Sequence, residues 1–294
     1  MPLLSTRQKG TLLTTLGVLV LTPDGLLVRL IDLDAWSLLF WRGCLFGLAI
    51  SLFYLATHRK SFLSIFTSMG KAGLLAAACF TSSTLFFVQS LHNTSVANTL
   101  VLIATAPLFA ALLGRVFLKE KLERATWIAI LVSLLGIAFI FSESLSGDNL
   151  IGDIFALCAA LSLAGQITTV RSSPNTDMVP SLIVSGIAIS VIALLFGAST
   201  GIPEGNNLYL VLILGCLVLP LSFALITIGP RFIPAAEVSL LMLLETFLGP
   251  LWVWLIVHEK PANETLAGGI LVLATLAAHT IYTSRSRKTG AQTL

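Results

Sequence analysis

Charge is what this chain most lacks: Asp, Glu, Lys and Arg make up 11% of its 294 residues, against about a quarter in a soluble domain. So few charges cannot cover the surface of a protein this size in water. A second absence excludes a nucleotide-driven pump, because no GxxxxGK[ST] loop occurs and no polar loop is long enough to fold a nucleotide domain. Cysteine is scarce as well. Cys44, Cys79, Cys158 and Cys216 each lie inside an apolar run and none forms a CxxC, so neither a disulfide framework nor a zinc site is expected. VHEKPA (Val257–Ala262) opens like HExxH, but Ala262 stands where the second zinc histidine must be, and no GxGD or Ser–His pair in facing spans is found. The sequence therefore calls for no catalysis, no metal and no cofactor.

What the chain has instead is apolar length. It is 56% hydrophobic with a mean hydropathy of +0.96, and the apolar residues come in blocks of roughly 20, the length a helix needs to cross hydrocarbon. This pattern predicts an all-α integral membrane protein with the lipid bilayer as its main partner. Ten candidate spans emerge: Thr11–Leu30, Trp36–Thr57, Gly70–Leu91, Val96–Leu118, Thr126–Phe141, Ile151–Thr169, Val179–Ala198, Leu208–Ile228, Ala235–Val257 and Thr265–Thr283. The first run follows Arg7 and Lys9 as a signal peptide would. It lacks a small-x-small cleavage site and leads straight into TPDGLLVRL, so it reads as a retained helix.

The pI near 8.8 does not imply nucleic acid, because the basic residues sit singly or in small groups between spans. They report topology. With a cytoplasmic N-terminus, one side collects Arg7, Lys9, Arg59, Lys60, Lys71, Lys119, Lys121, Arg124, Arg171, Arg231, Arg285, Arg287 and Lys288, and the other only Arg29 and Lys260. Acids trend the other way, with Asp32, Asp34, Glu143, Asp148, Glu204, Glu259 and Glu264 outside. Both termini are expected in the cytoplasm, and a bacterial cytoplasmic (inner) membrane is the expected location.

The chain also repeats itself. A shift of about 139 residues lays SVANTLVLIATAPLF over PAAEVSLLMLLETFL, LKEKL over VHEKP with Glu120 on Glu259, and Thr126 on Thr265. With a small loop slip, TPDGLLVR near Asp24 lies over AGQITTVR near Gln166. Each half then holds five spans. An odd number makes the second half enter the membrane from the opposite side, an inverted repeat of the kind found in secondary transporters. The halves are expected at residues 1–147 and 148–294.

Five stretches taken in order carry a family likeness: WSLLFWRG, SVANTLVLIATAPLFAALLGRVFLKEKL, IGDIFALCAALSLA, GPRFIPAAEVSLLMLLETFLGPLWVWLIVHEKP and AGGILVLA. In these the chain resembles the EamA-type group of the drug/metabolite transporter (DMT) superfamily over nearly its whole length. The resemblance implies ten helices in two inverted five-helix repeats around a central cavity. It also implies transport, often export, of small metabolites such as amino acids or amphipathic compounds, and leaves the solute unnamed. A non-transporting structural or assembly membrane protein is the alternative class. The chain departs from strict repetition in two places. Arg42 has no charged counterpart in Pro180–Val184, and Thr246 stands at the repeat-equivalent of Pro107 while Pro250 appears one turn later.

Ionisable groups inside spans are rare and usually face a bundle interior or a wet cavity. Arg115 lies within a turn of a span end, where it can snorkel, and Glu237 stands at a helix start, where an acid suits the dipole. Glu245 differs. It lies ten residues into its span, about 15 Å deep at 1.5 Å per residue, and Pro250 nearby removes a backbone donor. A substrate ammonium or a transported proton fits such an acid; a structural, hydrogen-bonded carboxyl is the competing reading. Asp24 and Arg42 lie toward the outer ends of neighbouring spans and can pair, as a gate or as a structural tie. Gln166, at the repeat position of Asp24, either lines the path or bonds a neighbouring helix. Phe86, Phe87, Trp41, Phe247 and Trp252 are candidate cavity walls, with Trp252 and Trp254 equally suited to an interfacial belt. Pro107 and Pro250 are the expected helix breaks.

Overall fold

The computed structural model describes residues 6–57, 69–119, 122, 124–144, 149–173, 176, 178–228, 232 and 235–291. Arg59, Lys60, Lys121 and Arg231, the acids Glu120 and Asp148, and the expected boundary between the halves lie outside these. The described chain is helical with no strand. In order it forms α1 (Thr6–Leu21), α2 (Asp24–Leu30), α3 (Ala35–Thr57), α4 (Gly70–Asn93), α5 (Val96–Ile103), α6 (Ala106–Phe117) and α7 (Arg124–Ser144). There follow α8 (Leu150–Ser172), α9 (Val179–Leu195), α10 (Asn206–Leu212), a π-helical turn (Ile213–Val218), α11 (Leu219–Ile228), α12 (Ala235–Val257) and α13 (Asn263–Ala291).

Eight helical stretches are long and apolar enough to cross a bilayer, counting α1–α2, α5–α6 and α10–α11 each as one. They coincide with eight of the ten expected spans. At the other two, the apolar helices Pro180–Leu195 and Leu241–Val257 are shorter. Hydrophobic side chains that would be a liability in water remain on the outside, among them Ile128, Leu131 and Leu135 on α7 and Ile270 on α13. Lipid is their solvent. The protein is integral to the membrane.

The breaks within spans have local causes. Pro23 cannot continue α1, and Thr22 turns its hydroxyl back onto the Leu19 carbonyl at 2.9 Å, so α2 starts afresh at Asp24. The fourth span breaks in the same way. Thr105 donates to the Leu102 carbonyl at 2.6 Å, and Pro107 occupies the first turn of α6. Pro250, expected as a second break, instead sits inside an α12 that runs on through it. A single lost donor is not enough to end a helix held by neighbours on both sides.

Helix pairing recurs across the two halves. α4 packs on α8 as α1 packs on α11; α5 and α6 pack on α8 as α12 packs on α1 and α2; α3 meets α9 and α7 meets α13. At the α3–α9 crossing the chains approach through glycine. A Cβ on Gly43 would stand 2.7 Å from the Gly186 carbonyl oxygen and 2.6 Å from Ser190 Oγ. The backbone carries the repeat as well. Lys119 and His258, related by the 139-residue shift, are the two non-glycine residues with positive φ among those described, at 56° and 61°.

Candidate functional site

The restart of the chain at Asp24 places its carboxylate in the first turn of α2, where the helix dipole favours an anion. Arg42 comes from the second turn of α3. The two meet as a bidentate pair, with Arg42 Nη1 donating to Asp24 Oδ1 at 2.5 Å and Nη2 to Oδ2 at 2.8 Å. Both are buried, Asp24 at 3% exposure and Arg42 at 6%. Two parallel charge-assisted bonds are the arrangement that best repays the desolvation of both ions. Phe87 of α4 lies under the guanidinium at 5.5 Å, adding a ring face to its neighbours.

Arg42 forms one wall of a narrow gap between helices, with room for about one water molecule. Phe46 and Phe80, Thr84, Ile189, Leu219 and Phe223 complete it. The three phenylalanines touch one another, with centroids 5.1 Å apart for Phe80–Phe223, 5.8 Å for Phe46–Phe223 and 6.1 Å for Phe46–Phe80. Small-molecule sites are typically about 300–1,000 Å³, far more than this gap holds with the rings in contact.

Glu245 lies on α12, partly buried, and the charges whose fields reach it are Asp24 and Arg42. Among the described residues it has no hydrogen bond and no counter-ion of its own. The cluster therefore joins a self-satisfied ion pair to a carboxylate with no fixed partner. Gln166 is half-buried on α8 and likewise without a described hydrogen bond.

The remaining expected aromatics go elsewhere. Phe86 stacks on Phe155. Trp41 packs edge-on against Phe40 and donates its indole N–H to the Gly201 carbonyl at 3.3 Å. Phe247 is 65% exposed on the outside of α12. Trp252 is 40% exposed, and its indole N–H donates to Thr22 Oγ1 at 3.1 Å, tying α12 to the α1–α2 break. Arg115 is exposed at the end of α6 over the ring of Trp127. No cluster of three or more potential metal ligands occurs among the described residues. Phe46, Phe80 and Phe223 escape sequence reasoning because in a chain this apolar a ring in a cavity wall looks like any other core ring.

Comparison with known proteins follows the same outline. The model of the EamA-like transporter family matches residues 8–142 and again 150–280. The chain belongs to the EamA-like transporter family. EamA is a family of the DMT superfamily. An uncharacterized transporter of Methanothermobacter thermautotrophicus is 26% identical over 205 residues, covering 64% of this chain and 58% of that protein. The uncharacterized transporter YdfC of Bacillus subtilis is 25% identical over 181 residues, covering 59% and 58%. The match thus spans well under two thirds of either relative. One solved crystal structure has the same fold, with a TM-score of 0.69 at 16% identity over 95% of this chain and 99% of that one. This EamA-family chain is integral to the membrane, as its apolar helices require.

Proposed function

We propose that the chain is a secondary transporter, and an exporter, of small metabolites such as amino acids or amphipathic compounds. It spans the cytoplasmic membrane ten times as two inverted five-helix repeats, residues 1–147 and 148–294, with both termini in the cytoplasm. Access alternates around the midplane cavity beside Arg42. The observation that carries this reading is the unequal pairing of the buried ionisable groups. Arg42 and Asp24 are matched to each other, while Glu245 has no fixed partner among the described residues. An acid kept inside a span without a fixed partner suits an amino group or a transported proton, and the three rings beside Arg42 suit an apolar body. The same asymmetry appears in the repeat, where Ala106 occupies the place of Glu245, so packing of the two halves does not demand the acid.

The test is uptake and efflux in proteoliposomes with a panel of amino acids, amines and amphipathic metabolites, with and without an imposed pH gradient. Saturable movement of an amino-bearing solute supports the proposal, and dependence on the gradient assigns Glu245 to proton coupling. A complete lack of transport across the panel, with correctly folded protein, counts against it.

A further inference from the structure

At the end of the bundle away from the N-terminus the two halves are joined by a polar lock. Arg29, in the last turn of α2, donates Nη2 to the Thr94 carbonyl at 2.6 Å. Its Nε lies 3.0 Å from Glu259 Oε2, off the hydrogen-bond line, so that contact is electrostatic. Glu259 Oε1 accepts the Val96 backbone N–H at 2.8 Å, one of the free donors at the start of α5. One carboxylate of the second half thereby holds both the cation at the end of α2 and the first turn of α5 in the first half. A buried layer ties in behind it. Asp153 accepts from Thr94 Oγ1 at 2.8 Å and Asn98 Nδ2 at 3.2 Å, and Asn98 Oδ1 accepts from Thr265 Oγ1 at 2.5 Å.

The two members of the lock differ from this layer in exposure. Asp153 and Asn98 are fully buried, whereas the side chains of Arg29 and Glu259 are 26% and 25% exposed. Water reaches the ion pair, so it can open without stranding a charge in a dry interior. The turn that delivers Glu259 is built in. His258 adopts φ 61°, uncommon for a residue with a Cβ, and the first repeat makes the same turn at Lys119 before its own glutamate, Glu120. The sequence also places Arg171 at the repeat position of Arg29. A local turn of this cost kept in both copies argues for a functional glutamate after it.

We propose that the Arg29–Glu259 pair is the lock that closes the cavity toward the Arg29 end of the protein, and that parting it is the step that opens the site on that side. The inference rests on the alternating-access reading above and names residues for it that are remote from the substrate. Breaking the pair shifts the population toward the state open on the Arg29 side, because that state alone does not contain it.

The experiment reads access rather than transport. Thr84, in the cavity wall, becomes a reporter as Thr84→Cys in a background with Cys44, Cys79, Cys158 and Cys216 replaced. A membrane-impermeant thiol reagent is then applied from the Arg29 side of the membrane. Glu259→Gln removes the charge but keeps an acceptor for Val96 N–H, so the fold is retained, and Arg29→Gln provides an independent break. Each is expected to raise the labelling rate up to about fivefold, the range of a part-exposed ion pair, and Glu259→Asp by less. Glu120→Gln does not raise it. Unaltered labelling in both Glu259→Gln and Arg29→Gln overturns the lock, as does an equal rise in Glu120→Gln, which would signify general loosening. Labelling that responds in a protein that moves no solute would refute the transport reading and leave the lock standing.

Discussion

Gly47 and Gly186 meet backbone to backbone where α3 crosses α9, and they are repeat-equivalents under the shift that lays Glu120 on Glu259. Neighbouring spans of the two halves touch through the same position of each copy, as expected where an axis relating two copies passes through a contact. The fit is not equally tight from both sides. A Cβ on Gly186 would stand 2.7 Å from the Gly47 Cα and 2.9 Å from the Gly43 carbonyl oxygen, whereas one on Gly47 would meet nothing nearer than 3.4 Å.

Gly186→Ala is accordingly expected to destabilise the protein by about 1–3 kcal/mol through overpacking against backbone that cannot turn aside. Gly47→Ala costs less. Thermal unfolding of the two variants in detergent compares them directly, and equal losses would contradict the geometry.

Asp24→Asn leaves the Arg42 guanidinium buried without its anion, which is expected to cost about 3–5 kcal/mol. The apolar double replacement Asp24→Leu with Arg42→Met is expected to recover most of that stability while abolishing transport. A double-mutant cycle on unfolding and on uptake separates the two effects. Recovery of transport along with stability would reduce the pair to a structural tie.

Glu245→Gln is expected to abolish transport, or its response to a pH gradient, with little change in melting temperature. No described hydrogen bond or ion pair is lost with the charge. Full activity in this variant would remove Glu245 from the site, and a large loss of stability would make it a structural carboxyl.

Asp34 caps α3 outside the membrane-spanning stretch, accepting the Trp36 and Ser37 backbone N–H groups at 3.0 Å each. Partial burial pushes its pKa up, but the bonds from Ser37, side chain and backbone, and from Trp36 outweigh this and hold it below the usual carboxylate value. A depressed folded-state pKa contributes stability in full above the unfolded value of about 3.9, and that contribution fades as pH falls through the folded value. The site is exposed, so the effect is small. Asp34→Asn keeps the cap and is expected to flatten this acid-side loss, while Asp34→Ala loses up to about 1 kcal/mol at neutral pH. Unfolding followed from pH 7 down to pH 3 in both variants tests the assignment.

Much of the architecture was legible because hydrophobic length and loop charge obey bilayer physics residue by residue. The repeat was legible because LKEKL and VHEKP carry rare charged residues through otherwise interchangeable apolar sequence. Asp24 and Arg42 were candidates for the same reason, since a charge inside a span stands out. The cavity rings were not legible. Phe46, Phe80 and Phe223 come from three different spans, and nothing in the spacing of phenylalanines distinguishes them from Phe86 or Phe247, which point elsewhere. The Arg29–Glu259 lock was half visible. Its residues sat in the loop-charge pattern as topology markers, yet their contact closes across most of the chain.

By itself the sequence determined that this protein lives in a membrane, that its apolar blocks recur in two copies, and which few buried charges it must accommodate. Those follow from composition and period, properties each segment carries wherever it lies. Only the tertiary structure decided that Arg42 is matched to Asp24, that Glu245 is left without a fixed partner among the described residues, and that three rings from distant helices gather beside Arg42. Partnering is a property of pairs, and helices of nearly uniform apolarity do not declare in their order which faces will meet.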